Sequence, residues 1–206
     1  MKVKICGLHT EEAVLAAEDA GADFLGFIFY EKSHRHVLPE EVRDLTKHVQ
    51  RAKTVGVFVD APLDEVNAAA DFCSLDFVQL HGHESAAYAR AVCRPVIKAF
   101  RWGDDFSAEE ANDYPAEIIL LDSFSKDSVG GTGQRFRWRE AAEETARLEK
   151  PLLVAGGIAS GNVREAEEVF RPYGVDVSGS LEIEKRKSVE RIRKFMAVVQ
   201  KRRIPE

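Results

Sequence analysis

Apolar residues in this chain come in short runs rich in Val, Ile and Phe, and each run is followed by a longer stretch whose apolar positions fall at helical spacing. Eight runs read as strands: Val3–Cys6, Phe24–Tyr30, Thr54–Val59, Phe77–Leu80, Val96–Phe100, Ile118–Asp122, Leu152–Ala155 and Val175–Ser178. The stretches after them predict helices over Glu11–Ala20, Pro39–Val49, Leu63–Phe72, Glu84–Val92, Ala108–Asp113, Trp138–Leu148, Gly161–Arg171 and Ser188–Arg202. Helix starts carry their own signals: Thr10 ahead of Glu11 and Glu12, Pro39 with Glu40 and Glu41, and Ser160 before Gly161 and Asn162.

Strands separated by helices pair in parallel through right-handed crossovers. Eight such units predict an α/β fold closed into a (β/α)8 TIM barrel, with function in the loops at the C-terminal ends of the strands. The alternative, an open doubly wound sheet, normally carries a glycine-rich dinucleotide loop after its first strand, whereas here only Gly7 follows. No linker or low-complexity segment interrupts the pattern, so residues 1–206 read as a single barrel domain.

Composition fits that reading. The chain is 45% hydrophobic and 31% charged, enough to bury a full core. Its formal net charge of -6 argues against a nucleic-acid partner, which needs clustered Lys and Arg. The short basic tail Lys201, Arg202 and Arg203 reads as a solvated helix end. Cys6, Cys73 and Cys93 are too scattered for a zinc site or a disulfide framework, so reduced thiols in the cytoplasm are expected. No apolar run approaches the roughly 18 to 20 residues that cross a bilayer and no signal peptide is evident, so no membrane partner is expected.

Candidate chemistry lies where polar residues interrupt apolar strands. Alternate residues of a strand share a face. Lys4 and Cys6 therefore share one, as do Gln79 and His81, and Asp176 and Ser178. Asp122 ends the run Ile118–Asp122, and Lys98 interrupts Val96–Phe100. Each reads singly as a satisfied interior group or a strand end meeting water. Together they point to catalytic groups gathered at one barrel mouth.

Two glycine-containing segments look suited to a phosphate. Gly156 and Gly157 lead into a helix start, and Ser178, Gly179 and Ser180 follow the last strand, the loops where such barrels often bind phosphate through backbone N–H groups. The same glycines also suit tight turns alone. A third cluster, Gly130, Gly131, Thr132 and Gly133, sits in a long loop of the kind that forms lids. Arg35, after the second strand, offers a planar fork for a carboxylate. His34 and His36 beside it have no metal-ligand partners at helical spacing, and no metal is expected.

These motifs resemble the phosphoribosylanthranilate isomerases of tryptophan biosynthesis nearly end to end. The match runs through K-I-C-G at Lys4–Gly7, G-A-D-x-L-G-F-x-F at Gly21–Phe29, S-x-R at Ser33–Arg35, V-G-V-F-V at Val55–Val59 and V-Q-L-H-G at Val78–Gly82. It continues through V-I-K-A-F at Val96–Phe100, L-L-D-S at Leu120–Ser123, G-G-T-G at Gly130–Gly133, L-x-A-G-G-I at Leu153–Ile158 and R-P-Y-G-V-D-V-S at Arg171–Ser178. The resemblance implies a cofactor-free Amadori rearrangement of N-(5-phosphoribosyl)anthranilate, a phosphorylated sugar–anthranilate substrate, in a monomer or homodimer. It implies Cys6 as general base, Asp122 as general acid and Arg35 on the anthranilate carboxylate. The glycine loops at Gly156–Gly157 and Ser178–Ser180 would hold the phosphate, with Gln79, His81, Asp176 and Gly130–Gly133 as further substrate contacts.

The chain departs from the family where it has Ser178-Gly179-Ser180-Leu181-Glu182 for the usual S-S-G-[VIL]-E, and where the charged run Ile183–Ser188 replaces P-G-x-K-D. His34 and His36 stand where a proline and an aromatic are usual. Two other functions fit the same barrel: an isomerase of histidine biosynthesis, or one acting on both pathways, of a kind that pairs two aspartates and places one where Cys6 stands, and a non-catalytic sensor of a phosphorylated metabolite.

Overall fold

The structure, a computed structural model, describes residues 1–103, 105–122 and 133–201, with 133–137 described through their backbone alone. Eight parallel strands follow one another round a closed barrel, with β8 returning to pair with β1. They are β1 (Lys2–Cys6), β2 (Phe24–Ile28), β3 (Lys53–Phe58), β4 (Phe77–Leu80), β5 (Val96–Arg101), β6 (Ile118–Asp122), β7 (Leu152–Ala155) and β8 (Gly174–Val177). Helices α1 (Glu11–Asp19), α2 (Pro39–Leu45), α3 (Leu63–Phe72), α4 (Ala86–Ala91), α5 (Ala108–Asp113), α6 (Gly133–Thr145), α7 (Val163–Phe170) and α8 (Val189–Gln200) alternate with them. After β8 come a 3-10 turn, Gly179–Leu181, and a small antiparallel hairpin of β9 (Glu182–Ile183) and β10 (Arg186–Lys187) that the sequence pattern does not predict.

Differences from the predicted bounds have local causes. Helix α2 stops at Leu45 because Thr46 turns its hydroxyl back to donate to the Val42 carbonyl at 2.9 Å. Helix α4 begins at Ala86 because Ser85, accepting from Tyr88 N, is its cap, while Glu84 turns into the protein. Helix α7 begins at Val163 rather than Gly161: Asn162, not Ser160, closes the preceding turn, its Oδ1 accepting from Ala159 N and its Nδ2 donating to Gly157 O. Thr10 and Pro39 sit as predicted, with the Glu41 carboxylate accepting from Leu38 N at 2.7 Å.

The strand register stacks the inward side chains in levels contributed by alternate strands. Phe24, Phe77 and Ile118 form the floor, and Val55, Ile97 and Leu153 lie above them with Lys4. The next level holds Gly26, Gln79, Leu120 and Asp176, followed by Cys6, Val57, Ala99 and Ala155. Ile28, His81, Asp122 and Ser178 reach the rim one level higher. Apolar packing thus closes the barrel from below, and apart from Lys4 polar side chains enter only in the levels above.

Lys98 belongs to the other face of its strand. Its neighbours Ile97 and Ala99 point inward, so its ammonium lies under the helices, where it donates to Glu84 Oε2 and to the Gly82 carbonyl, both at 2.7 Å. Glu84 in turn accepts from the N–H groups of Asp60 and Gly82. The satisfied-interior reading of Lys98 holds, and the residue is no part of the mouth. Both side chains are buried, so removing one partner strands the other charge. Lys98→Met is expected to cost about 3–5 kcal/mol in urea unfolding; a loss below about 1 kcal/mol would show that the pair does not hold this loop.

Candidate active site

Strand β1 brings Lys4 and Cys6 to the barrel interior. The Lys4 ammonium is wholly buried and donates to Asp176 Oδ1, across on β8, at 2.9 Å. Beside Cys6 on β2 stands Gly26, and a Cβ there would lie 3.0 Å from both Cys6 Sγ and Lys4 Nζ. Thiol and ammonium together fill the space of the missing side chain. Burial pulls the Lys4 pKa down, but Asp176 and Cys6 more than offset it, so the group stays an ammonium. Burial pushes the Cys6 thiol up; Lys4 opposes that rise and Asp176 adds to it.

Across the mouth, Asp122 ends β6 on the rim level. His81 shares that level, and burial lowers its pKa although Asp122 and Asp176 pull the other way, so the ring is neutral near pH 7. Gln79 Nε2 lies 2.9 Å from His81 Nδ1, which fixes the ring. Gln79 Oε1 has no partner, and among the described residues it is the buried side-chain oxygen left in that state. An orphaned acceptor in a polar cavity is a place for a ligand hydroxyl.

Arg35 reaches the site over the corner that follows Cys6. Gly7 takes a φ of 77°, a left-handed conformation that favours glycine, and a Cβ there would lie 2.3 Å from Arg35 Cδ. The bare corner of K-I-C-G therefore makes room for the arginine stem. The guanidinium is not free: Nε donates to Glu182 Oε1 at 2.5 Å and a terminal nitrogen to Oε2 at 2.9 Å, a fork-to-fork pair. Glu182 also accepts from Lys187 Nζ at 2.6 Å. Burial pushes the Glu182 carboxyl up, but hydrogen bonds from Arg35 and Lys187 outweigh it and bring its pKa to about 2. Lys187 reaches on to the Ser178 carbonyl at 3.2 Å and Oγ at 3.1 Å, and Ser178 Oγ donates to the Cys6 carbonyl at 2.8 Å.

The two glycine-containing loops after β7 and β8 meet at the mouth. Gly156 and Gly157 both have positive φ, of 82° and 72°, so bare backbone lines that edge. Ser180 Oγ donates to the Ile158 carbonyl at 2.6 Å and ties the β8 loop to the β7 loop. With both serine protons committed to carbonyls, what the segment offers an anion is the backbone N–H at the start of the 3-10 turn, which has no acceptor within that turn.

These residues line one cavity of ≈ 530 Å³ at the C-terminal end of the barrel, where Cys6, Asp122, Arg35, Gln79, His81 and Asp176 meet Gly156, Gly157, Ser178, Gly179 and Ser180. Gly130, Gly131 and Thr132 lie outside the described residues, and Gly133 begins α6. A larger cavity of ≈ 590 Å³ opens at the opposite end, but its basic side chains are held in ion pairs, Lys2 with Asp23, Arg51 with Glu18 and Lys53 with Asp76. Chemistry rather than size therefore favours the C-terminal mouth. Glu182 and Lys187 are site components that the motif reading does not single out: Glu182 ends the Ser178–Glu182 segment, and Lys187 lies in the charged run Ile183–Ser188. Among the described residues there is no cluster of three or more His, Cys, Asp or Glu able to hold a metal, and no helix long and apolar enough to cross a membrane.

Comparison with known proteins agrees with this arrangement. A family model described as N-(5'phosphoribosyl)anthranilate (PRA) isomerase matches residues 3–198. An N-(5'-phosphoribosyl)anthranilate isomerase of Geobacter sp. (strain M21) is 47% identical over 205 residues, covering 97% of this chain and 98% of that protein. The crystal structure of a phosphoribosyl anthranilate isomerase from Thermus thermophilus superposes with a TM-score of 0.86 at 35% identity, over 98% of this chain and 99% of the other. A phosphoribosyl anthranilate isomerase in complex with reduced 1-(o-carboxyphenylamino)-1-deoxyribulose 5-phosphate superposes with a TM-score of 0.85 at 32% identity, over the same shares. From a near full-length sequence match and a shared barrel, the chain belongs to the N-(5'-phosphoribosyl)anthranilate isomerase family and is an isomerase of tryptophan biosynthesis.

Proposed function

We propose that the protein converts N-(5-phosphoribosyl)anthranilate to 1-(o-carboxyphenylamino)-1-deoxyribulose 5-phosphate by an Amadori rearrangement under general acid–base catalysis. The observation that carries this reading is that Cys6 and Asp122, ending strands on two sides of one cavity and one level apart, enclose the space beside the glycine loops. The phosphate sits on the backbone N–H groups of the Gly156–Gly157 and Ser178–Ser180 loops, and Arg35 receives the anthranilate carboxylate.

Asp122, protonated, donates to the furanose ring oxygen; the C1–O bond breaks and the nitrogen lone pair forms the C1 iminium. Cys6, as thiolate, then removes the proton at C2, and that C–H electron pair flows into the cation to give the enolamine. Tautomerisation, with C1 gaining a proton and the C2 hydroxyl losing one, yields the ketone. A sugar hydroxyl donates to the orphaned Gln79 Oε1. Neutral His81 shares the level of Asp122, with Asp176 deeper in the barrel.

The active form has Asp122 protonated and Cys6 ionised. The profile of such a pair has a plateau set by the fraction that holds the proton on Asp122 and not on Cys6, and its alkaline limb follows the raised thiol. Lys4 acts on the height of that plateau, because the ammonium favours the thiolate that burial disfavours.

Cys6→Ala and Asp122→Asn are each expected to lower kcat by about 10²–10⁴ with the fold intact by circular dichroism. Full turnover in either variant would sink the assignment. The pH profile of kcat/KM should lose activity on its alkaline side above the ordinary thiol value of about 8.5, and Lys4→Met should lower the plateau while moving that limb further up. An alkaline limb unmoved in Lys4→Met would show that the ammonium serves the barrel alone.

A further inference from the structure

The hairpin after β8 has no part in the acid–base pair, yet it holds the group that reads the substrate's carboxylate. Arg35 enters from the loop after β2, crosses Gly7 and is met by Glu182, which occupies the Nε edge of the guanidinium through both carboxylate oxygens. That grip leaves the other edge of the planar fork for a second carboxylate. Glu182 is itself held from behind by Lys187, whose side chain is wholly buried, and Lys187 is anchored on Ser178, the residue bonded to the Cys6 carbonyl. Arg35, Lys187 and Glu182 together carry one net positive charge, the amount a single substrate carboxylate neutralises.

We propose that Glu182, backed by Lys187, is the positioning residue that aims Arg35 and so sets the preference for an aryl amine bearing a carboxylate over one without it. The inference rests on the reading of Arg35 as the carboxylate contact. Burial makes the arrangement rigid: Arg35 contributes a stem pinned at Gly7 and a head whose rotation is stopped by two parallel hydrogen bonds. Electrostatics alone argues for the opposite role, since an anion beside Arg35 competes with the substrate's own. The two roles give opposite signs on removal of the charge.

In Glu182→Gln the shape is kept, but one of the two acceptors becomes an N–H donor facing a guanidinium that has only donors. If Glu182 aims Arg35, KM for N-(5-phosphoribosyl)anthranilate should rise by about tenfold or more while kcat changes far less, and the N-(5-phosphoribosyl)aniline analogue should be handled as by the parent enzyme. Glu182→Asp, which keeps the charge, should recover part of the loss. A fall in KM would show that Glu182 masks Arg35, and an equal loss with both substrates would show a merely structural role; either overturns the proposal. Should Glu182→Gln fail to fold because Lys187 is left buried with half its partners, the double variant Glu182→Gln, Lys187→Met removes that charge and carries the same comparison. Arg35→Met separates this inference from the reading beneath it. Lost discrimination in Arg35→Met with discrimination retained in Glu182→Gln defeats the inference alone, and retained discrimination in both defeats the two together.

Discussion

A closed sheet of eight parallel strands admits only a few side chains at each level of its interior, and the register decides which. Because every second residue points inward and alternate strands supply each level, a residue's level follows from its place in its strand. The lower levels are filled by Phe24, Phe77, Ile118, Val55, Ile97 and Leu153, which seal the barrel beneath the reactive groups. Cys6, His81 and Asp122 reach the mouth because each ends or follows its strand, whereas Lys98, with the same polarity in mid-strand, falls on the other parity and is spent on Glu84.

Polar groups so near an apolar floor must be matched, since an unpaired charge there costs several kcal/mol. Lys4 is matched by Asp176, and the pair stands directly under Cys6. A second matched set, Arg35 with Glu182 and Lys187, stands over the same strand end. The thiol is thus placed between two ion-pair systems, each with an ammonium or guanidinium turned toward it. That placement separates its environment from that of Asp122, which shares the rim with His81, Ser178 and Ile28 and pairs in register with Arg101. The proposed acid and base roles call for such a division.

Much of this was legible in the chain. Phe77–Leu80, Ile118–Asp122 and Leu152–Ala155 are apolar runs bounded by turn residues, and their bounds follow from pattern alone. A period of two puts Lys4 with Cys6, Gln79 with His81 and Asp176 with Ser178 on one face of each strand without tertiary information, while barrel closure decides that this face is the inner one. Helix ends were harder: Thr46 and Asn162 decide theirs through side-chain bonds that apolar spacing does not encode. The Arg35 partner was hidden for another reason. Glu182 lies 147 positions away in the chain, and only the closure of β8 onto β1 brings the two together.

The two glycines nearest Cys6 show why residue type must be read against what occupies the space. At Gly7 the volume where a Cβ would stand is crossed by the Arg35 stem. Gly26 reads as one small residue in an apolar strand, yet Cys6 Sγ and Lys4 Nζ both close on the position its Cβ would take. In each case the absent methyl allows a polar group from one strand end to approach another, which no side chain present could achieve without forcing a reactive atom aside. A barrel interior is already full at native density. Bringing a thiol, an ammonium and a guanidinium to one strand end therefore requires that neighbouring positions supply backbone alone.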